Sequence, residues 1–443
     1  MKKIFSLVFA SLLFLSLSAQ QPVTAWWDSA QTIHRIEGFV SDTLPTGKWT
    51  TWYKNGQKES EGLYQKGHRT GIWKFWYASG DIMREEAFEN GKTIEYFESG
   101  AVKSECPVVN GKRQGAYHEY FSTGTLYKNL PFIDGLRQGE GFVYHPDSSL
   151  AFKGIYLNDS LTGPAVFYRS GGIKEMEGNL KNDLQEGVWV FYEINQKVGS
   201  RGHFVAGLQD GSWIYYYASG EVWKEGHYSH GMRSGEWKVY YENGALQHKG
   251  SFVNDLEDGF WQCWLEDQQI DYQGFFKAGK MDGLWEGWYQ SGQKKYEHQY
   301  SNGEKNGKSV FWLENSRKSY EGNYVNGKRT GSWVDFYERG NIRQQGNYLD
   351  DKKEGRWLFY DPAGLLIREQ NFRNDVPEGS FTEYHSNNRK ARQGSFIGGK
   401  QDGTWLFWNQ DGKLIMTIIY QAGVKLKTIK EEIQKPGQGT RGF

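Results

Sequence analysis

One glycine sets the frame of this chain. It recurs every twenty-four residues without a miss from Gly115 through Gly211, Gly235 and Gly259 to Gly403. Upstream, Gly91 keeps the period, and Gly71 and Gly47 follow after one unit shortened to twenty residues. Counting from that glycine as position 0, sixteen repeats follow one another. A period of this length marks an array of supersecondary units that bury their faces only against their neighbours.

The other columns of the frame are as regular. Position +5 is aromatic throughout, as at Tyr216 and Tyr240, and +2 is mostly aromatic, as at Trp213 and Trp237. Position +17 is Tyr or Phe in nearly every unit, as at Tyr228, and +20 is always Gly or Asp, as at Gly231. Each unit reads as a β-hairpin. A first strand at about +1 to +7 is rich in Trp, Tyr, Phe and Val. A turn near +8 to +10 often carries Asn-Gly or Asp-Gly, as at Asn55-Gly56 and Asp411-Gly412, dipeptides that tolerate positive φ. A second strand runs to about +18, and a second turn holds +20 and the glycine at 0. No helical period separates the hairpins, so the expected fold is all-β: an elongated, solenoid-like sheet of about sixteen stacked hairpins.

The expected organisation is a signal peptide at 1–19, a partial or capping repeat at 20–46, sixteen repeats at 47–426 and a tail at 427–443. Lys2 and Lys3 precede the apolar run IFSLVFASLLFLSL, and Ala19 offers a cleavage point. Export to the periplasm, the cell surface or the medium is expected, with no spanning segment after cleavage. The apolar stretch Leu414–Tyr420 is expected to close the C-terminal end of the sheet.

The segment joining two hairpins reads G-x-Y-x-x-G-x-x-x-G-x-W, as at Gly62, Tyr64, Gly67, Gly71 and Trp73, and again at Gly226, Tyr228, Gly231, Gly235 and Trp237. This resembles the MORN repeat, in the bacterial variant branch often labelled as a YwqK-type antitoxin. The usual pattern has Gly where this chain mostly has Trp at +2. The resemblance covers about residues 38–425 and implies stacked hairpins and a scaffold that binds proteins or sometimes lipids. An antitoxin-like or immunity-like binding protein is a further implied role, although such a protein would be expected inside the cell.

Composition excludes some functions. With 53 basic and 53 acidic residues, the net charge is zero, and no basic excess is present to neutralise nucleic-acid phosphates. Cys106 and Cys263 fall in the third and tenth repeats, too far apart for a disulfide. GEKNGKS at 303–309 lacks the spacing of a phosphate-binding loop. His227 and His230 have no companions for a zinc site, and acidic turns such as Asp255 with Asp258, or Asp350 with Asp351, lack calcium-loop spacing. G-x-S-x-G is absent. No catalytic, cofactor or metal residue is assigned, and the chain reads as a non-enzyme.

The periodic rings belong to architecture: Trp213, Tyr216 and Tyr228 with their successors Trp237 and Tyr240, framed by Gly211, Gly231 and Gly235. A binding site should break the period. The candidates are Trp223, at the variable position +12, and Tyr272, Tyr296 and Tyr320, which occupy +13 in three successive repeats. A protein partner is the first expectation for these rings, and a carbohydrate or envelope polymer lying along the tyrosine row is the second.

Overall fold

The computed structural model describes residues 19–430, so all but the last residue of the expected signal peptide and most of the expected tail lie outside the described residues. Every regular element among them is a β-strand. The chain divides into two compact units, Met1–Leu208 and Gln209–Phe443. In each, successive strands pair antiparallel, hairpin after hairpin, as the repeat frame requires.

In the first unit, Gln21–Trp26 pairs with His34–Ser41, and that strand pairs with Leu44–Trp52, so the segment at 20–46 forms a hairpin of its own. The shortened repeat joins Ile82–Ala87 to Gly91–Tyr96 with only Phe88, Glu89 and Asn90 between them. In the second unit, Gly211 faces Tyr228 and Trp213 faces Gly226. The same register recurs to the end, where Leu414–Gln421 pairs with Val424–Lys430. The final strand runs to Lys430, and Leu414–Tyr420 is therefore covered rather than terminal.

Two local expectations change. In most units the first strand begins three residues before the glycine at 0, as in Met232–Tyr240, so Gly235 sits inside a strand. It is not a turn residue. Pairing jumps from Lys238 opposite Glu225 to Ser234 opposite His227, and the surplus residues form a bulge. Gly235 has φ of 66° there, which explains the invariant glycine: a bulge residue in the left-handed region is best served by Gly. The second change concerns turns. The tight two-residue turn lies at +19 and +20, with both residues at positive φ, as in His230 (52°) and Gly231 (83°). Asp fills +20 where Gly does not, as at Asp255 with φ of 67°. The Asn-Gly sites carry only one positive φ, at Gly244 for example, in a turn closed by a bond from the Gly244 N–H to the Tyr241 carbonyl, 3.0 Å or less in its sister units. Asn243 Oδ1 accepts from the Ala245 N–H at 2.9 Å.

The core is one layer of rings. Trp237 at +2 lies flat over Gly226 at +15 of the preceding unit: a Cβ at Gly226 would stand 2.2 Å from the indole. The indole N–H donates to the His227 carbonyl at 3.0 Å. The same bond joins Trp73 to Leu63, Trp189 to Asn179, Trp285 to Phe275 and Trp357 to Asn347. Rings at +17 stand edge-on between successive tryptophans. Tyr228, Trp237, Phe252, Trp261, Phe276 and Trp285 follow one another at centroid distances of 5.1, 6.2, 5.2, 5.8 and 4.9 Å, the edge-to-face geometry that ring quadrupoles favour.

The +5 rings do not join this series. Tyr240 donates its hydroxyl to Glu225 at 2.7 Å, and Glu225 adjoins Gly226 along the strand, so it points to the other face. Tyr120 with Glu105 and Tyr384 with Glu369 repeat the arrangement. Tyr216 and Tyr240 thus belong to the wetter face.

Both ends of the strands are clamped from repeat to repeat. At one end, Tyr217, Tyr241 and Tyr289 donate to the carbonyls of Tyr240, Trp264 and Trp312 at 2.7, 2.9 and 2.8 Å. At the other, Asp210 accepts from the His230 N–H at 3.1 Å and Asp258 from the Ala278 N–H at 3.0 Å. Asp255 caps the Arg233 N–H at 2.9 Å. The acidic turns are spent on the backbone.

Candidate functional site

The ring face satisfies itself by a simple rule of sizes. Where +2 is Trp, the facing +15 is Gly, as in the pairs Trp73 with Gly62, Trp261 with Gly250 and Trp405 with Gly394. Where +2 is small, something else fills the gap. Opposite Ala165, the off-pattern Phe152 folds over Gly154. Opposite Gly141, Leu130 and Tyr156 close in. The rule is dispersion packing: a void beside a bulge forfeits contacts along its whole lining.

The off-pattern tyrosines follow the same logic. Tyr296 lies over Gly287, where most units hold a larger residue at +4, and stacks on His298 at 4.8 Å with an 8° tilt. His298 takes the place of the glycine at +15, and Ser309 takes that of the tryptophan at +2. The two are joined by a buried bond of 3.1 Å between Ser309 Oγ and His298 Nδ1. Burial, with Lys305 second, lowers the His298 pKa to about 4. Tyr320 is sandwiched between Phe311 and Trp333, at 5.8 and 5.3 Å. Burial pushes the hydroxyls of Tyr296 and Tyr320 up to about 12. These two rings are half-buried packing pieces.

Tyr272 differs. It is 37% exposed and stacks on Trp285 at 6.1 Å with a 27° tilt. Burial and a bond to the Cys263 thiol raise its own pKa. Trp223 is 40% exposed and stands away from the tyrosine row, near a hairpin tip. It meets Tyr215 and Tyr217 at 6.5 and 6.2 Å, with Lys224 Nζ 4.4 Å above it. The structure therefore separates the four candidates into two half-buried fillers, one open ring and one tip ring.

Around Tyr272 the ring layer opens. Cys263 is small at +4, and beside it lies a hollow of about 450 Å³. Its walls are Trp261, Tyr272, Trp285 and Tyr296, with His248, Glu257 and Met281 at the sides. His248 stacks on Trp261 at 6.1 Å and burial lowers its pKa. The sequence reading named Tyr272 and Tyr296 as site residues but did not single out Glu257 or Cys263 as such. Their signal was available as departures from the +4 and −2 columns. A wider, more polar recess of about 780 Å³ lies at the hairpin tips, where Leu265 replaces the clamping tyrosine.

Neither cysteine is in a disulfide; Cys106 is buried and Cys263 half-buried. Among the described residues no group of three or more His, Cys, Asp or Glu side chains is placed to hold a metal ion. No helix among them is long and apolar enough to cross a membrane.

Comparison with known proteins supports the repeat frame. No curated protein matches the chain. Among solved structures, the crystal structure of TcdB2-TccC3-Cdc42 is 11% identical over 91% of this chain and 21% of that chain, with a TM-score of 0.13. The structure of TcdB2-TccC3 without its hypervariable C-terminal region is 11% identical over 94% of this chain and 24% of that one, with a TM-score of 0.15. This chain thus spans less than a quarter of those chains, and TM-scores of this size do not establish a common architecture. The family model described as MORN repeat variant matches residues 45–66, 69–90, 209–230, 233–254, 281–302 and 329–350. Each matched segment falls on one unit of the frame, and the match does not distinguish an antitoxin-type branch. Six units of the chain are thus matched as MORN repeat variant units, and the hairpin frame they share continues through the units between them.

Proposed function

We propose that this protein is an exported, non-enzymatic scaffold that binds a protein partner on the ring face of its second unit. MORN repeats are in general protein-binding modules. The observation that carries the reading is the opening around Tyr272. Elsewhere many polar groups bond from repeat to repeat, whereas here a hollow opens beside Cys263 and leaves Tyr272 exposed on top of the buried Trp285. Aromatic side chains in partly open pockets are favoured anchors in protein interfaces.

Cross-linked capture from the native envelope with the full chain tests this. Tyr272→Ala and Trp223→Ala are the variants to use, because both side chains are open and their loss leaves the packing of Tyr296 and Tyr320 intact. A specific partner lost on Tyr272→Ala, with the fold unchanged by circular dichroism, is the expected result. Capture indifferent to every ring-face substitution would sink the reading. The stacked pair of Tyr272 and Trp285 also favours a second reading, a sugar ring lying on Tyr272. Retention of the wild type but not Tyr272→Ala on an envelope polysaccharide would select it.

A further inference from the structure

In many repeats, those on either side of the hollow included, the ring face carries its own cations. At −2, Arg69 lies 4.3 Å from the Trp73 ring, Arg233 3.9 Å from Phe252, Arg329 4.1 Å from Tyr348 and Lys353 4.4 Å from Trp357. At +13, Lys224 lies 4.4 Å from Tyr215 and Arg368 4.0 Å from Phe359. The electron-rich faces of the rings attract these groups, and an acid often completes the arrangement. Arg233 over Phe252, for example, also bonds Asp255 through Nε at 3.0 Å.

At the hollow both columns change together. Position −2 is Glu257 and then Met281, and +13 is His248, Tyr272 and Tyr296. No lysine or arginine lines the cavity, and its only full charge is a carboxylate. Among the described residues the Glu257 side chain has no ion-pair or hydrogen-bond partner, although its backbone pairs normally. Aromatic walls and an unanswered acid are thus present, and the cation that neighbouring repeats supply from within is missing.

We propose that the hollow receives the guanidinium of an arginine side chain from the partner protein. This rests on the scaffold reading above. Arginine suits the site because its plane can lie on flat walls while its fork meets a carboxylate. The walls are of that kind, with Tyr272 nearly parallel to Trp285 and His248 to Trp261. The docked group would reproduce, from outside, what Arg233 does one repeat away.

The test uses the full chain and two peptides, acetyl-Gly-Arg-Gly-amide and the same peptide with citrulline, arginine's neutral isostere. Choline serves as a free ammonium ion. The readout is the indole N–H signals of Trp261 and Trp285. The arginine peptide should shift both signals, and the citrulline peptide should bind about tenfold more weakly or worse. Glu257→Gln should weaken the arginine peptide by about tenfold. Glu257→Arg should abolish binding while the protein stays folded, because arginine already occupies that column over rings in other repeats. Equal binding of the two peptides, wild-type binding by Glu257→Arg, or tighter binding of choline than of the arginine peptide would each overturn the proposal. If the peptides fail while partner capture persists in Glu257→Arg, the inference about the hollow falls and the scaffold reading stands.

Discussion

The glycine at +15 and the tryptophan at +2 are one device. Gly226 makes room for the Trp237 indole to lie on the strand and bond a backbone carbonyl. Gly226→Ala places a methyl group against that ring, with a cost of about 2–3 kcal/mol from overpacking and a lost hydrogen bond. Amide exchange in the strands Val222–Ser229 and Met232–Tyr240 should accelerate accordingly. His298 supplies a second prediction. Its folded pKa lies near 4, below the ordinary 6.5, so the native state holds it neutral. A depressed histidine contributes stability that is fully present above 6.5 and is lost as pH falls toward 4. Local exchange around His298 and Ser309 should therefore rise across that window, and its ring signals should titrate near 4. A His298 titrating near 6.5 would contradict the buried bond to Ser309.

At the scale of elements, the edges show how such a sheet avoids unwanted pairing. The first strand, Gln21–Trp26, carries Pro22, which cannot donate to a further strand. The last, Val424–Lys430, carries Lys425, Lys427 and Lys430; charges on an edge deter another chain from adding to it. Truncation after Gln421 removes this cover and bares Leu414–Gln421, whose centre, Ile418, is buried. Higher-order species should then appear in size-exclusion chromatography. The clamps at the tips are weaker devices. Tyr241→Phe removes one bond to the Trp264 carbonyl and should cost about 1 kcal/mol.

At the scale of the whole chain, contacts pass from each repeat to the next, and stability is a sum of local terms. The Gly226→Ala variant should leave amide exchange in the Met1–Leu208 unit at wild-type rates; a global loss of protection would show stronger coupling than nearest-neighbour terms allow. This locality also explains what could be read from the residues alone. The period, the hairpins and the ring columns were legible because every unit solves the same packing problem. The bulge was not, since a glycine at positive φ looks the same in a turn and inside a strand. The side to which +5 points was also hidden, because the bulges break simple alternation. Tyr272 was found as an irregular ring, whereas Glu257 was overlooked because a lone acid between turns resembles any solvated charge.

The clamps carry a further consequence. Asp210, just before Gly211, reaches forward to the turn of the next unit at His230, Asp258 to that at Ala278, and Tyr217 and Tyr241 each hold the following tip. Every unit therefore offers its successor the same donors and acceptors that it received from its predecessor. Unequal recombination in the gene, adding or dropping one unit in frame, would join compatible surfaces on either side of the scar. Length in such a protein is free to drift, while a local feature confined to adjoining units, like the hollow beside Cys263 and Tyr272, travels as a single heritable block.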